Sequence, residues 1–234
     1  MKIYEQKYLS KPSNRMLLAS NLNHYMLVPK KFASAHLRTF YFDDSKLSSF
    51  YESANGHYNK IKCRFREYIN PEESGAYYSL EVKIRNGIST DKIKHLIYSK
   101  LPKAYRIRSF NSLVRELSNI TGKSYSDIKN VLDNKTYKPT CIVEYRRQRF
   151  DDKYKSIRYN IDTDIIAKRT SSFALLGSSH LLEKKYINDI FEMKSMCVPI
   201  FPRSLSKTRV IRSSFSKYLW AMTVLDNTNR VPLL

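Results

Sequence analysis

The sequence predicts an α+β protein built on a closed antiparallel β-barrel with flanking helices. The first observation is the alternation of cations with apolar residues in Lys60–Tyr68, since successive side chains of a strand point to opposite faces. The second is Asn86-Gly87, the strongest short hairpin signal in the chain, which directly follows another alternating segment. The third is the helical spacing of apolar residues over 109–120 and 124–132.

Composition favours one folded domain with an anionic partner. Hydrophobic residues make up 42% of the chain and aromatic residues 13%, which is typical of a globular protein. Lys and Arg number 42 against 21 Asp and Glu, a net charge of +21, which indicates nucleic acid, anionic lipid or a phosphorylated small molecule as partner. The 234 residues contain no linker or low-complexity segment, so we expect a single domain over 1–234.

Several function classes are excluded by the rarer residues. The three cysteines are far apart, and the five histidines are scattered, so we expect unpaired thiols in a reducing compartment and no zinc site. The five glycines are not spaced as a phosphate-binding loop, so phosphate must be bound by cationic side chains. No apolar run approaches the ~20 residues of a membrane helix, and the N-terminus lacks a secretory signal. We therefore expect a cytoplasmic protein without a transmembrane segment.

The elements follow from alternation, helical spacing and turn residues. The predicted strands are 1–9, 37–42, 60–68, 76–85, a segment carrying Lys92 and Lys94, 139–150, 155–162 and 186–194. Asp43-Asp44-Ser45 is expected to cap a helix that ends near Ser53. The other predicted helices are 12–25, 109–120, 124–132 and 214–225, the last of these a helix or a strand–helix junction. The segment 199–212 is expected to be irregular or a short helix.

A repeated tripeptide pattern indicates that one face of the sheet is strongly charged. The pattern occurs as Glu5-x-Lys7, Glu81-x-Lys83 and Glu192-x-Lys194. In a strand this spacing places a carboxylate and an ammonium group side by side on one face. One alternative is a flat sheet with a basic face, but like charges side by side repel one another. A closed barrel turns these faces inward around a shared cavity and removes the exposed edges.

The chemistry expected of such a cavity is phosphate binding. Arginine binds phosphate oxygens bidentately, and lysine binds them as a compact charge. Carboxylates remaining in the cavity would hold a divalent cation that bridges to phosphate, and their hard oxygen ligands suit Mg²⁺ or Mn²⁺.

The order of several sequence blocks resembles a known family. The blocks are YEQKY, FYFDD, KIKCRFREY, LEVKIRNG, PTCIVEYRRQRF, SIRYNID, FEMKS and SFSKY. Together, from Glu5 to Tyr218, they resemble the VTC (vacuolar transporter chaperone) domain of the triphosphate tunnel metalloenzyme superfamily. The resemblance implies an antiparallel β-tunnel that transfers the γ-phosphate of ATP onto a growing polyphosphate chain.

The resemblance also implies site residues. The predicted catalytic residues are Arg64, Arg66, Lys83, Arg147, Arg158 and Lys217. The predicted substrate-binding residues are Lys7, Lys92 and its neighbour Lys94, to which the alternation adds Lys62 and Lys194. Glu192 is the predicted ligand of Mn²⁺ or Mg²⁺.

Two positions depart from the family pattern. Ser214 stands where the polymerase pattern often has a lysine, which predicts a low rate. Ile3 stands where the related triphosphatases have the first glutamate of Glu-x-Glu-x-Lys. Because the triphosphatases use several carboxylates to place metal and water, Ile3 weighs against a hydrolase.

The leading prediction is therefore a metal-dependent polyphosphate polymerase whose partners are ATP and inorganic polyphosphate. The alternatives are a triphosphatase of the same fold and a non-catalytic module that binds polyphosphate or an inositol phosphate. The charge of +21 and the 18 tyrosines also suit single-stranded nucleic acid. No aromatic platform is interleaved with the cations, however, so we expect no specific nucleic-acid partner.

Overall fold

The structure, a computed structural model, describes residues 4–29, 33–69, 77–86, 89–101, 106–132, 135–154, 156–169, 173–174, 182–197 and 200–225. Its strands are β1 Tyr4–Ser10, β2 Ser34–Asp43, β3 Lys60–Tyr68, β4 Tyr78–Asn86, β5 Ser89–Ile97, β6 Arg106–Ile107, β7 Lys138–Asp151, β8 Ile157–Arg169, β9 Phe173–Ala174, β10 Leu182–Lys185, β11 Asp189–Ser195 and β12 Ile211–Ser213. Its α-helices are α1 Arg15–Tyr25, α2 Ser48–Ala54, α3 Phe110–Thr121, α4 Ser126–Leu132 and α5 Lys217–Leu225, with 3₁₀ helices at Pro12–Asn14 and Arg203–Thr208.

Ten strands form one large antiparallel sheet. Its order is β12-β1-β11-β8-β7-β2-β3-β4-β5, and β10 pairs with β8. Among the described residues, β5 and β12 at the two ends of this order do not pair, so the sheet is not closed. The prediction of a closed antiparallel β-barrel is wrong, although the sheet does carry flanking helices. The alternation shows which residues share a face of the sheet, but it does not show whether the two end strands meet, so it could not decide closure.

The open sheet is nevertheless curved. Four strands lie between β1 and β3, yet lysines from both reach the segment that precedes α5. Lys7 Nζ donates to the Phe215 carbonyl oxygen at 3.0 Å, and Lys62 Nζ lies 3.4 Å from Ser216 Oγ. Side chains of the same parity as Lys7 and Lys62 therefore line a concave face.

Helices cover both faces of the sheet. On the convex face, α3 and α4 pack over β2 to β5, with Phe65, Leu80 and Phe110 in the core. Farther along the convex face, α1 and the 3₁₀ helix Arg203–Thr208 cover a second core that contains Tyr8 and Phe191. The concave face has its own apolar core, where α2 and α5 pack on residues of β2, β7 and β8, namely Leu37, Tyr41, Cys141, Val143, Ile165 and Ala167. The charged part of the concave face lies beside this core.

The acidic turn before α2 caps that helix as expected, although the helix begins at Ser48. Asp44 Oδ1 accepts the backbone N–H of Ser48 at 3.0 Å. The two oxygens of Asp43 accept those of Ser49 and Phe50, each at 2.9 Å. The carboxylates thus satisfy N–H groups that have no partner within the helix.

The hairpin predicted beside Asn86-Gly87 is confirmed in its register. Lys83 of β4 lies opposite Lys92 of β5 in an antiparallel pair, whereas Gly87 lies outside the described residues. Ile3 also lies outside them.

Strand β8 is longer than the sequence predicted, since it continues beyond Asp162 to Arg169. The segment Asp162-Thr163-Asp164 has the composition of a turn, but here it forms an irregularity in the pairing with β7. Asp164 takes a positive φ of 52°, a conformation that aspartate tolerates. The short strands β10 and β12 were not predicted at all.

The longest helix in the described part of the chain is α3, at 12 residues. None of the described helices is both long and apolar enough to cross a membrane.

Candidate functional site

The concave face brings cations from β3, β4 and β5 into register. Arg64 lies opposite Glu81, and Glu81 lies opposite Lys94 on the next strand. Two residues farther along these strands, Lys62 lies opposite Lys83, and Lys83 lies opposite Lys92. The alternation of β3 and the hairpin of β4 and β5 therefore collect six predicted site residues on one half of the face, namely Lys62, Arg64, Arg66, Lys83, Lys92 and Lys94.

One buried carboxylate organises this half of the face. Glu81 is 1% exposed, and its Oε2 accepts a hydrogen bond from Arg64 Nε at 2.7 Å. The Lys92 ammonium lies 2.9 Å from the same oxygen, and Arg66 Nη1 lies 3.6 Å from Oε1. The residues Arg64, Arg66, Glu81, Lys92 and Lys94 are called the Glu81 cluster below.

The Glu81 cluster carries an excess of positive charge. Burial alone raises the pKa of Glu81, but Arg64, Arg66 and Lys92 hold it well below its usual range. Glu81 is therefore ionised, and a single negative charge faces four basic side chains. Burial and then Arg64 lower the pKa of one of them, Lys92, to about 7. Beside the cluster, burial and then the neighbours Lys60 and Lys7 lower the pKa of Lys62 to about 7. An anion placed here would relieve repulsion between the cations.

A second charged cluster lies where β7, β8 and β11 meet the first turn of α5. Asp162 is fully buried and accepts two hydrogen bonds from Arg147, from Nε at 2.5 Å and from Nη2 at 2.7 Å. The Lys217 ammonium donates to Asp162 Oδ2 at 2.5 Å. Coulombic attraction to Arg147 and Lys217 outweighs burial and lowers the pKa of Asp162.

Glu192 lies beside Asp162 and shares its cations. Its Oε2 lies 3.1 Å from Arg147 Nη2 and 3.5 Å from Lys194 Nζ, and its Oε1 lies 3.8 Å from Lys217 Nζ. Burial raises the pKa of Glu192, but Lys194, Arg147 and Lys217 together hold it well below its usual range. The residues Arg147, Asp162, Glu192, Lys194 and Lys217 are called the Asp162–Glu192 cluster below.

Strand β1 adds a third carboxylate next to this cluster. Glu5 lies 3.3 Å from Lys7 Nζ and 3.6 Å from Lys194 Nζ. Burial raises the pKa of Glu5, but Lys194 and Lys7 bring it down to about 2 against the repulsion of Glu192. Glu5 is therefore ionised at neutral pH.

Tyr145 lies between the two clusters. Its ring is 4.8 Å from the Lys217 ammonium and 5.5 Å from the Arg147 guanidinium, and the residue is 2% exposed. Burial raises the pKa of Tyr145, but Arg66 of the Glu81 cluster and then Arg147 lower it below its ordinary value. In the sheet order, only β2 lies between β3 of the first cluster and β7 of the second.

The position of Lys217 depends on its neighbour in the helix. Lys217 is the first residue of α5, and the hydroxyl of Tyr218 donates to Asp43 Oδ2 at 2.5 Å. The Tyr218 ring also stacks on Tyr41, with ring centroids 5.1 Å apart. Since Asp43 also caps α2, the start of α5 is anchored to the end of β2. Ser214 is exposed, three residues before Lys217.

Two predicted catalytic residues, Lys83 and Arg158, belong to neither cluster. Lys83 lies beside the Glu81 cluster, opposite Lys92. Arg158 is bound by another carboxylate. Its Nε donates to Asp151 Oδ1 at 2.9 Å, and Arg149 Nη2 lies 2.6 Å from Oδ2 of the same carboxylate. The Arg158 side chain is 42% exposed.

Asp162 is the buried site residue that sequence reasoning missed. It has the same parity as Arg158 and Asn160 in the block SIRYNID, so extending the alternation by one step would have found it.

A divalent cation on the concave face would have to be shared with substrate. The described residues contain no group of three or more His, Cys, Asp or Glu side chains placed to hold a metal ion. Mg²⁺, however, is commonly bound by one or two carboxylates together with substrate phosphates. Glu192 would supply such a carboxylate, and the buried Asn160, whose amide nitrogen lies 3.4 Å from Glu192 Oε2, is the amide next to it.

A curved sheet with clustered cations and ionised carboxylates on its concave face is suited to a polyanionic ligand. The VTC domain model matches residues 2–226, nearly the whole chain, so the protein belongs to the VTC domain family. The resemblance expected from the sequence is thereby confirmed. Membership is consistent with a phosphotransferase function that involves polyphosphate.

Other comparisons add little to this assignment. No curated protein matches the chain. Among solved structures, the chain is similar to the PH1819 protein from Pyrococcus horikoshii OT3, at 7% sequence identity and a TM-score of 0.46. That match covers 94% of this chain and 99% of the other.

Proposed function

We propose that the protein transfers the γ-phosphate of ATP onto the end of an inorganic polyphosphate chain. The observation that carries this proposal is the Glu81 cluster, in which four basic side chains, two of them arginines, face one ionised carboxylate on a concave surface. Such an excess of charge favours a ligand with several closely spaced phosphates. Membership of the VTC domain family supports the same reaction.

The reaction needs positioning and charge neutralisation. A terminal oxygen of polyphosphate forms a bond to the γ-phosphorus, the bond from that phosphorus to the β–γ bridging oxygen breaks, and ADP leaves. Phosphoryl transfer proceeds through a loose transition state whose charge is spread over the phosphoryl oxygens. Arg64 and Arg66 are suited to bind those oxygens, because a guanidinium group forms two parallel hydrogen bonds. No nucleophilic side chain is required.

The two clusters would have different roles in the reaction. The Glu81 cluster binds phosphates through its excess cations, and the Asp162–Glu192 cluster holds Arg147 and Lys217 in fixed positions through Asp162. Glu192 and Asn160 would hold Mn²⁺ or Mg²⁺ together with substrate phosphates. When bound, the metal ion supplies charge neutralisation at the phosphate oxygens. Because the sheet is open, we expect the polyphosphate chain to lie along the concave face.

Product analysis tests the proposal. The purified protein is incubated with ATP and Mn²⁺, and long anionic polymer is separated from orthophosphate. We expect ATP-dependent polymer, a large loss for Arg64→Ala, and no loss for the control Arg115→Ala, which removes an exposed arginine on α3. Orthophosphate as the sole product would replace the proposal with a triphosphatase.

A second candidate, a non-catalytic polyphosphate-binding module, is favoured by one observation. Both oxygens of Glu192 already lie within ion-pair distance of protein cations, Oε2 near Arg147 and Lys194 and Oε1 near Lys217. Those cations compete with a metal ion for the carboxylate. Calorimetric binding of tripolyphosphate without any turnover of ATP would favour this second function.

A further inference from the structure

The convex face carries an outer layer that is unusual in its exposed apolar side chains. Helix α1 packs against the 3₁₀ helix Arg203–Thr208, and both cover the core that contains Tyr8 and Phe191. On the outside of this layer Met16 is 85% exposed, and Ile200, which precedes the 3₁₀ helix, is 87% exposed. Leu17, adjacent to Met16, is also exposed.

The same layer is basic and poor in carboxylates. Arg203, Lys207, Arg209 and Arg212 are all exposed. Within the described part of the chain, these four form no ion pair with a carboxylate. The sequence accounts for this: residues 6–42, which include α1, and residues 193–225, which include the 3₁₀ helix, contain no Asp or Glu.

The arginine at the start of α1 is the exception, and it anchors the layer to the sheet. Arg15 donates two hydrogen bonds of 2.8 Å to Asp189 and lies 3.5 Å from Asp164. Arg15 thus neutralises the negative charge of both carboxylates. The outer surface remains both cationic and apolar.

The combination of exposed cations with exposed apolar side chains favours one class of anionic partner over another. A soluble polyphosphate needs cations but gains nothing from exposed methionine and isoleucine side chains. An anionic bilayer matches both features, because its headgroups attract Lys and Arg while its acyl boundary accepts apolar side chains. Arginine and lysine also reach headgroups while their methylene stems lie along apolar surface.

We propose that the outer layer formed by α1 and residues 200–212 docks on an anionic lipid bilayer. Met16 and Ile200 enter the acyl boundary, and Arg203, Lys207, Arg209 and Arg212 contact the lipid phosphates. The concave face, which lies on the other side of the sheet, stays open to soluble substrates. This inference does not depend on the proposed phosphotransferase function.

Vesicle flotation tests the proposal. The whole protein is mixed with phosphatidylcholine vesicles that contain or lack phosphatidylglycerol. We expect co-flotation with the anionic vesicles alone, reduced by high salt because screening weakens exposed charges. Equal flotation with both kinds of vesicle, or with neither, would overturn the proposal.

Variants locate the surface that binds the vesicles. Arg203→Gln and Lys207→Gln should each weaken vesicle binding about fivefold, and Ile200→Ser should weaken it about three- to tenfold. The controls are Ile187→Ser, an isoleucine 78% exposed after β10, and Arg64→Ala on the concave face, and both should bind vesicles like the parent. An unchanged Ile200→Ser variant would contradict insertion. Equal weakening by Arg64→Ala would show that the vesicles bind the concave face instead.

Discussion

The Glu81 cluster and the Asp162–Glu192 cluster lie on one face but are built differently. The first sets Arg64, Arg66, Lys92 and Lys94 against a single carboxylate. The second sets three cations against two carboxylates, so its charges are closer to balance, and Asp162 is fully buried between Arg147 and Lys217. A large excess of charge thus marks where a polyanion can bind, whereas nearly balanced charge marks where side chains are held in place.

The two clusters also differ in how the chain assembles them. The Glu81 cluster comes from β3, β4 and β5, three strands that follow one another in sequence and pair as neighbours. The Asp162–Glu192 cluster joins β7, β8 and β11 to α5, so it exists only after the long-range contacts of the sheet and of α5 have formed. A change in the second cluster should therefore affect stability more than a change in the first.

The largest effect is expected for Asp162→Asn. The substitution leaves Arg147 and Lys217 without their shared counter-charge in a buried site. Breaking a buried ion pair costs about 3–5 kcal/mol, so we expect a loss of that size in the free energy of unfolding. Urea unfolding measures it, with Asp164→Asn as control because that carboxylate is 39% exposed. If Asp162→Asn and Asp164→Asn have the same free energy of unfolding, the Asp162–Glu192 cluster does not hold its side chains in place as described.

The substitution Glu192→Gln tests whether the Asp162–Glu192 cluster also takes part in catalysis. It keeps the shape of the side chain and removes the charge that would hold the metal ion. We expect turnover to fall on the order of a hundredfold, while metal-free binding of tripolyphosphate holds or improves because a repelling carboxylate is gone. Steady-state kinetics across a Mn²⁺ titration and calorimetry provide the two readouts. The control is Glu183→Gln on β10, where the glutamate is 51% exposed. Parental activity in Glu192→Gln would exclude this role.

Arg64→Ala and Arg66→Ala test the first cluster. Each removes hydrogen bonds to a charged ligand, so tripolyphosphate binding should weaken by about 1.5–3 kcal/mol. Stability should change little, because the rest of the cluster still neutralises Glu81. Calorimetry on both variants and on the control Arg115→Ala measures the change. Parental affinity in both variants would mean that this face does not bind phosphate.

The smallest effect concerns pH. The pKa of Lys62 lies at about 7 in the folded protein, below its ordinary value, because of burial and its cationic neighbours. Protonation of Lys62 as pH falls through 7 should strengthen tripolyphosphate binding about two- to fivefold, the size of a partly exposed ion pair. The same depressed pKa means that Lys62 destabilises the folded protein most below pH 7, and that this cost disappears as pH rises from 7 towards the ordinary lysine pKa of about 10.4. The affinity for tripolyphosphate is measured from pH 6 to 8.5 for the parent and for Lys62→Met. We expect the affinity of Lys62→Met to depend less on pH. Parallel curves for the two proteins would show that Lys62 is not the titrating group.

The half of the site around Glu81 could be predicted because its signals are local. Period-two alternation in Lys60–Tyr68 placed Arg64 and Arg66 on one face, and Asn86-Gly87 set Lys92 beside Lys83. Neither inference needs knowledge of distant contacts.

The remainder depends on long-range contacts that no local pattern encodes. Asp162 is the last residue of the predicted strand 155–162, but only its contacts with Arg147 on β7 and Lys217 on α5 give it a place in the site. Closure of the sheet was predicted wrongly because it depends on whether the two end strands meet. Alternation shows which residues share a face, but it does not show which strands pair. Arg158 shares the parity of the site, yet its partner is Asp151.

The most direct test of phosphate binding on the concave face is a structure of the protein with tripolyphosphate. We expect the anion on that face, with phosphate oxygens about 2.7–2.9 Å from the guanidinium nitrogens of Arg64 and Arg66, and with Asp162 still bound to Arg147 and Lys217. Tripolyphosphate bound instead to the basic convex layer around Arg203 and Lys207, with the Glu81 cluster unchanged, would contradict this assignment.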